Sequence, residues 1–288
     1  MTRSHVEIAI DADPSHFETL IGIMAVEGFE RFWEDGAVLR AYLPEELFSD
    51  ELLSRLHERL RTVAPATFTV ARIREQNWNR QWEETIRPIR ATERIIIAPS
   101  WHPYQPQAGE ITLTIDPKMS FGTGYHETTR LTLHLLEGAL APGARVLDVG
   151  TGTGVLAIAA IKLGAGSAIG IDNDEWAYAN ARENARLNGV RARLEVRLGE
   201  LSVVSETGFD CIVANIQKNT ILAMIPELCL RLGREGKLIL SGLLTEEGPP
   251  VIAALIARGL KIVEKRSEGE WVALSAAWEP GARMESSR

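Results

Sequence analysis

Three short segments of the chain combine glycine, aspartate and asparagine in a pattern that suits nucleoside binding. In the first, residues 146–154 (VLDVGTGTG), a short apolar strand runs into alternating glycines and then into a helical stretch, Val155–Leu163. Glycine is needed there because a side chain would keep the backbone away from a ligand. Asp172 follows about 20 residues later at the end of a second apolar strand, where a carboxylate can bind both ribose hydroxyls. The third segment, residues 210–215, ends in Asn215.

The glycine spacing and the neighbouring acid indicate which nucleoside. Gly150 and Gly152 belong to a GxGxG pattern, not to the GxGxxG of dinucleotide folds, and Asp148 precedes them. A carboxylate there would repel a pyrophosphate but would attract the ammonium or sulfonium end of S-adenosyl-L-methionine. The alternatives are NAD, and a glycine turn that merely connects a strand to a helix.

A sheet must position these segments, and the sequence after residue 145 predicts one. Apolar strands alternate with helical stretches, so we expect an α/β fold with a mostly parallel sheet and helices on both faces. Ligands bind such folds at the carboxyl ends of the strands. The predicted strands are Arg94–Ala98, Glu110–Ile115, Val146–Val149, Ala168–Asp172, Leu194–Arg197, Cys211–Asn215 and Lys237–Ser241, with a final hairpin of Leu260–Lys265 and Trp271–Ala276.

The first 74 residues predict a separate, small α+β unit. Their segments follow a βαββαβ order, which is the ferredoxin-like arrangement. We expect a hairpin turn across Glu34, Asp35 and Gly36, and Ser49 as the N-cap of the second helix. The predicted strands are Val6–Ile10, Phe29–Trp33, Ala37–Leu43 and Phe68–Ile73, and the predicted helices are Pro14–Glu27 and Ser49–Arg61.

The charge of this unit argues against nucleic acid as its partner. It contains 8 Arg, no Lys and 13 Asp and Glu, which gives a net charge of −5. It also lacks the basic, aromatic-rich strand of an RNA-recognition motif. We therefore expect no direct nucleic-acid binding, and recognition of a basic protein instead.

A helical connector is predicted between this unit and the remainder of the chain. Trp78 and Trp82 lie four residues apart within residues 76–86 and would share one helix face. The simpler interpretation is that the two indoles pin the connector to a neighbouring domain. The predicted domains are residues 1–74 and 87–288, joined by a linker at residues 75–86.

The composition is typical of a soluble enzyme. With 288 residues, the chain is long enough to bury a large core in two domains. No apolar run reaches the ~18 residues of a membrane span, and the polar N-terminus does not resemble a signal peptide. Cys211, Cys229 and the six histidines show no metal-ligand spacing, so we expect no metal. We expect a cytoplasmic monomer.

Three further segments resemble one enzyme family. They are residues 78–83 (WNRQWE), residues 94–101, which end in APSW, and residues 116–129 (DPKMSFGTGYHETT). Together with the helix after the glycine loop, they resemble the signatures of the ribosomal protein L11 methyltransferases, the PrmA family. The resemblance spans the whole chain. It is specific because methyltransferases in general do not share the FGTGxHxTT block.

The resemblance implies a class I (Rossmann-like) methyltransferase domain preceded by a substrate-recognition domain. The implied reaction transfers methyl groups from S-adenosylmethionine to the N-terminal α-amine and lysine ε-amines of ribosomal protein L11. It also implies a covering role over the methionine end of the cofactor for Phe121 or His126. Asn215 and His126 are the candidate catalytic residues. The candidate cofactor-binding residues are Thr129, Gly150, Gly152, Asp172, Asn215, Phe121 and Asp148.

Simpler roles and two departures accompany these assignments. Thr128 and Thr129 could only start a helix, and Asn215 could only cap a turn. Glu127 stands where the family usually has proline, which is expected to loosen the loop, and Gln217 departs from the usual Asn-Ile-Leu.

Two other functions stay open at this point. A nucleobase N-methyltransferase would be expected to place an aromatic residue after the asparagine to stack a flipped base, and residues 216–218 (IQK) contain none. A non-catalytic scaffold with an inactive cofactor site is the other alternative.

Overall fold

The computed structural model describes residues 4–29, 31–61, 63, 67–74, 85–118 and 120–281. The chain forms two compact units, residues 1–80 and 81–288. The predicted connector with Trp78 and Trp82 lies almost entirely outside the described residues. The domain boundaries at residues 74 and 87 therefore stay a prediction.

The first unit is a four-stranded antiparallel sheet with two helices. Its elements are β1 (Ser4–Asp11), α1 (Phe17–Val26), β2 (Arg31–Asp35), β3 (Val38–Pro44), α2 (Asp50–Arg61) and β4 (Thr67–Arg74). The strand order is β2-β3-β1-β4, as the ferredoxin-like prediction requires. Val6, Ile8 and Ile10 of β1 are fully buried in one core with Leu20 and Met24 of α1.

The N-cap prediction for the second helix is confirmed. The Ser49 hydroxyl accepts a hydrogen bond from the backbone N–H of Leu52 at 3.1 Å. Leu52, Leu56 and Leu60 are buried, and their spacing places them on the face of α2 that packs on the core.

The predicted hairpin turn was placed wrongly. Asp35 pairs directly with Val38, so the loop contains only Gly36 and Ala37. Gly36 has a φ of +60°, the left-handed conformation that a two-residue hairpin turn needs at its first central position. Gly36 therefore starts the turn instead of ending it, and β2 lies two residues later than predicted.

The second unit contains a seven-stranded sheet. Its strands are β8 (Arg145–Val149), β9 (Ser167–Asp172), β10 (Leu194–Leu198), β11 (Phe209–Asn215), β12 (Leu232–Leu244), β13 (Leu260–Glu268) and β14 (Trp271–Trp278). The order is β10-β9-β8-β11-β12-β14-β13. The strands from β10 to β12 are parallel, and β14 runs antiparallel between β12 and β13. This is the predicted, mostly parallel sheet with its closing hairpin.

Helices cover both faces of this sheet. They are α3 (Glu127–Ala139), α4 (Val155–Lys162), α5 (Glu175–Leu187), α6 (Lys218–Arg231) and α7 (Gly248–Ile256). The apolar residues of α3, α4 and α5 pack in one core, and those of α6 and α7 pack in the other. Cys211 and Cys229 are buried in these cores as free thiols, as predicted.

A smaller three-stranded sheet precedes the large one. It consists of β5 (Ile89–Arg90), β6 (Ile95–Ala98) and β7 (Ile111–Thr114). The two predicted strands are β6 and β7, which pair in parallel. β5 pairs antiparallel with β6, and at two residues it is too short to show a periodic pattern in the sequence.

Within the described part of the chain, no helix has the length and apolar character needed to cross a membrane. The same residues contain no group of three or more His, Cys, Asp or Glu side chains that could hold a metal ion.

Candidate active site

The glycine loop between β8 and α4 packs too closely against its neighbours to carry side chains. Gly150 and Gly152 have φ values of +72° and +55°. A Cβ on Gly150 would lie 2.5 Å from Cγ2 of Ile216, and a Cβ on Gly152 would lie 2.4 Å from the carbonyl oxygen of Phe121. Both distances are well inside van der Waals contact. The glycines therefore bring this loop against the segments that contain residues 121 and 216.

Asp172 ends β9 and fixes the loop through its carboxylate. One oxygen accepts a hydrogen bond from the N–H of Gly152 at 2.9 Å, and the other accepts from the N–H of Asp174 at 3.1 Å. A carboxylate offers about four acceptor positions, so each oxygen can accept one more donor. The half-buried side chain lies in the wall of a cavity, where it is available to a pair of hydroxyl groups.

This cavity has a volume of about 310 Å³ and lies at the carboxyl ends of the parallel strands. That is where α/β sheets bind their ligands. Among the predicted site residues, Gly150 and Asp172 line it. Leu201, Ile216 and Met224 give it an apolar wall.

Asp148 does not reach the cavity. Its side chain is fully buried beneath the glycine loop, where one carboxyl oxygen accepts hydrogen bonds from the Thr151 hydroxyl at 2.6 Å and from the N–H of Ala157 at 3.1 Å. Burial raises the pKa of this carboxyl to about 7. The predicted attraction of Asp148 for a ligand cation needs revision: its contacts make it a positioning residue that ties the loop to α4.

Replacement of Asp148 by asparagine should change how stability depends on pH. Between the ordinary aspartate pKa and pH 7, the folded protein retains a proton that the unfolded chain loses. The wild-type free energy of unfolding should therefore fall as the pH rises through this window, by an amount on the order of a few kcal/mol relative to Asp148→Asn. Urea unfolding of both proteins at several pH values measures the difference. Parallel pH curves would show that the buried carboxyl is already ionised.

A loop from Asp116 to His126 lies on the glycine loop. The carbonyl of Phe121 accepts a hydrogen bond from the N–H of Thr153 at 2.9 Å, and the carbonyl of Gly122 accepts one from the Thr153 hydroxyl at 2.8 Å. The Phe121 ring is 54% exposed. It is therefore free to lie against a bound molecule, which suits the predicted covering role.

His126 caps α3. Its Nδ1 accepts a hydrogen bond from the N–H of Thr128 at 3.3 Å and lies 2.8 Å from the Thr128 hydroxyl. Its ring contacts Phe121 and Trp271 edge-on, with centroids 5.3 and 4.7 Å apart. Thr128 and Thr129 lie in the first turn, so neither is the cap. This geometry favours a positioning role for His126 over the predicted catalytic one.

Thr129 and Asn215 carry buried side-chain oxygens that have no hydrogen-bond partner among the described residues. Asn215 ends β11, and Thr129 lies at the start of α3. The two ends meet because Ser241, the register partner of Asn215, donates to the carbonyl of Thr128 at 3.4 Å. Since buried polar atoms are nearly always paired, two adjacent unpaired ones are the feature expected of ligand-binding side chains.

The predicted residues thus form two groups. Gly150 and Asp172 belong to the cavity, whereas Phe121, His126, Thr129 and Asn215 lie outside its lining. Ile216 connects the groups, because it follows Asn215 in the chain and lines the cavity beside Gly150.

Comparison with known proteins identifies the family. The family model for ribosomal protein L11 methyltransferase (PrmA) matches residues 8–279. The chain belongs to the PrmA family. It is 36% identical to the ribosomal protein L11 methyltransferase of Chloroflexus aurantiacus, over 95% of this chain and 98% of that protein. It is 37% identical to the one from Chlorobaculum tepidum, over 97% and 98% of the two chains.

A solved structure agrees with this membership. The ribosomal protein L11 methylase from Lactobacillus delbrueckii subsp. bulgaricus matches with a TM-score of 0.64 and 34% identity, and covers 67% of this chain and 100% of that one. The predicted family, the class I methyltransferase fold and S-adenosylmethionine as the cofactor are confirmed.

The departure at Glu127 from the PrmA pattern does not loosen the loop, contrary to expectation. Glu127 begins α3, where a negative charge is favourable, and its carboxylate lies 3.5 Å from the Arg130 guanidinium. Its pKa is lowered, mainly by a hydrogen bond from its own N–H and further by Arg130 and His126. Arg130 also binds Glu268 at 2.5 Å and the carbonyl of Tyr125. Glu127 thus joins the contacts that hold the end of the loop.

Sequence reasoning missed two contributors to this PrmA site. Glu200 lines the cavity just after β10 ends. Gly242, with a φ of +81°, lets the chain pass Ile216, since a Cβ there would lie 2.4 Å from the Ile216 carbonyl oxygen. The carboxyl-end rule that selected Asp172 and Asn215 would also have selected Glu200, since it applies to β10 as well. Gln217, the second departure, is exposed beside the site.

Proposed function

We propose that this chain transfers methyl groups from S-adenosylmethionine to the N-terminal α-amine and lysine ε-amines of ribosomal protein L11. The observation that carries the proposal is the family match over residues 8–279. The site supports it because the unpaired oxygens of Thr129 and Asn215 lie at the same edge of the sheet as the Asp172 cavity.

The residues present fit S-adenosylmethionine. Asp172 would accept the ribose hydroxyls, and the apolar wall of Leu201, Ile216 and Met224 would contact the base. The buried hydroxyl of Thr129 would bind the methionine end, with Phe121 over it. When bound, this cofactor supplies a sulfonium methyl group that a nucleophile can attack in line.

The protein's task toward the acceptor is placement. A lysine amine has an ordinary pKa of ~10.4 and an α-amine one of ~7.7–8.0, so the lysine must lose a proton before its lone pair can react. Desolvation and a neighbouring positive charge both lower its pKa. The unpaired Oδ1 of Asn215 would accept an N–H of the amine and orient its lone pair. No separate general base is needed for this role.

The direct test is intact mass measurement of ribosomal protein L11 after incubation with the enzyme and S-adenosylmethionine. Mass increases in methyl steps, located on the N-terminus and lysines by fragmentation, are expected. The same incubation without S-adenosylmethionine is the control. An unmodified L11 in the presence of an enzyme that binds the cofactor would contradict the proposed substrate.

We further propose that the first 74 residues recognise this substrate. Their net charge of −5 suits a basic protein, and all site residues described above lie after residue 86. Catalysis therefore needs only one chain, which supports a monomer. Cytoplasmic location follows from the proposed substrate, since ribosomal proteins are made there.

Removal of the first 86 residues should separate cofactor binding from substrate use. A chain beginning at Arg87 should still bind S-adenosylmethionine in calorimetric titration. It should lose methylation of intact L11, because contacts remote from the reacting atoms position the acceptor. Isolated residues 1–74 should bind L11 with an affinity that falls as salt rises. Full activity of the shortened chain would leave this unit a stability or assembly role only.

A further inference from the structure

A second, larger groove lies at the opposite edge of the seven-stranded sheet. It has a volume of about 880 Å³ and is lined by the amino-terminal residues of β8, β9 and β10 and by one side of α5. The cofactor cavity is lined instead by residues at the carboxyl ends of these strands, such as Val149 and Asp172. A ligand in the groove would therefore not compete with the cofactor.

Five exposed arginines line this groove: Arg145, Arg182, Arg186, Arg191 and Arg193. Within the described residues, none of them lies within 4.0 Å of a carboxylate oxygen. Their contacts are with neutral groups. Arg145 lies over the ring of Phe209, and Arg182 lies over that of Tyr178. The positive charge of all five is thus uncompensated.

The acidic residues of the groove do not neutralise these arginines, because other cations hold them. Glu183 binds Lys118 at 2.5 Å. Glu195 and Glu206 both bind Arg197, at 2.8 and 2.7 Å, and this pairing lowers the pKa of Glu206 to about 2. The groove therefore presents more positive than negative charge to a ligand.

This concentration contrasts with the rest of the chain. The formal net charge is −8, and arginines elsewhere in the described residues, such as Arg40, Arg90 and Arg130, are paired with glutamates. An unpaired cluster of five around one concave surface is the electrostatic pattern expected of a binding site for a polyanion.

We propose that this groove binds single-stranded RNA through its phosphate groups. The planar guanidinium fork matches the geometry of phosphate oxygens, and arginine suits such sites better than lysine does. Tyr178 supplies an aromatic ring between the arginines of α5, which suits an unpaired base. A groove between a helix and strand ends fits a single extended strand. The proposal replaces the expectation of no nucleic-acid binding, which rested on the charge of the first 74 residues and not on this surface.

RNA binding would suit an enzyme whose substrate is a ribosomal protein. That connection rests on the proposed function, whereas the binding test does not, because it requires no methylation.

The test is fluorescence anisotropy of labelled oligouridylate with the full-length protein at about 50 mM salt. The triple variant Arg186→Gln, Arg191→Gln, Arg193→Gln should weaken binding by at least ~10-fold, and the slope of log affinity against log salt should become shallower by about 2. Because the groove lies away from the cofactor cavity, the affinity for S-adenosylmethionine should stay unchanged, which also verifies that the variant is folded.

A charge-matched control removes three exposed arginines outside the groove: Arg94→Gln, Arg234→Gln, Arg258→Gln. This variant should bind oligouridylate within about twofold of the wild type, which is expected for a local rather than a general charge effect. Equal losses in both variants, or no binding by the wild type, would overturn the proposal. So would displacement of the oligouridylate by polyglutamate or duplex RNA more readily than by unlabelled oligouridylate.

Discussion

Replacement of Asp172 by alanine should weaken binding of S-adenosylmethionine by at least ~30-fold, which corresponds to ~2 kcal/mol. Each charge-assisted hydrogen bond contributes ~1.5 to 3 kcal/mol, and the free positions on both carboxyl oxygens are placed to accept two hydroxyls. The variant also loses the acceptor for the Gly152 N–H, which orders the glycine loop. Calorimetric titration measures the loss.

Asp174 provides the matched control. It is the neighbouring aspartate, but its carboxylate accepts from the N–H groups of Trp176 and Ala177 and caps α5 outside the cavity lining. Asp174→Ala should lower the free energy of unfolding by ~1 kcal/mol, with little change in cofactor affinity. Unchanged affinity in Asp172→Ala, or an equal loss in both variants, would contradict the role assigned to Asp172.

The glycine loop and Asp172 were predictable because local geometry limits both. A strand that runs into alternating glycines and then a helix has few possible conformations, and a carboxylate at the end of the next strand must lie at the same edge of the sheet. The ferredoxin-like order of the first unit was predictable for a similar reason, since its strand and helix periodicities are distinct.

Asp148 shows where this reasoning stops. The residue lies within a strand whose two faces are both covered by helices, so sequence position alone cannot distinguish a side chain that faces a ligand from one that supports the loop. The burial of its carboxylate depends on Thr151 and α4, which are long-range consequences of packing. The same limit applies to His126, whose capping of α3 and contact with Trp271 depend on segments far apart in the chain.

Charge was the least accurate guide. A net charge of −8 and an acidic first unit predicted no affinity for nucleic acid. Net charge sums over the surface, whereas binding depends on the local field. Arg145 is far in sequence from Arg186 and Arg191, and only the folding of β8, β10 and α5 brings them to one groove.

Asn215→Ala should lower turnover by ~10²-fold or more, while the affinity for S-adenosylmethionine changes by much less. This size is typical of a lost positioning or hydrogen-bonding interaction. The reason is the buried Oδ1 of Asn215, which has no partner among the described residues and lies next to the start of α3. If it accepts a hydrogen bond from the acceptor amine, its removal acts on the reacting complex and not on the cofactor alone.

Asn219→Ala is the matched control, since Asn219 is an exposed asparagine in the first turn of α6, close to Asn215 in sequence. It should retain wild-type turnover and cofactor affinity. Single-turnover methylation of L11 gives the rate, and calorimetric titration gives the affinity for S-adenosylmethionine. Asn215→Ser, which keeps a shorter acceptor, should recover part of the rate. If Asn215→Ala reduced cofactor affinity as much as turnover, Asn215 would belong to the cofactor site alone, and the acceptor amine would have to be oriented by another group.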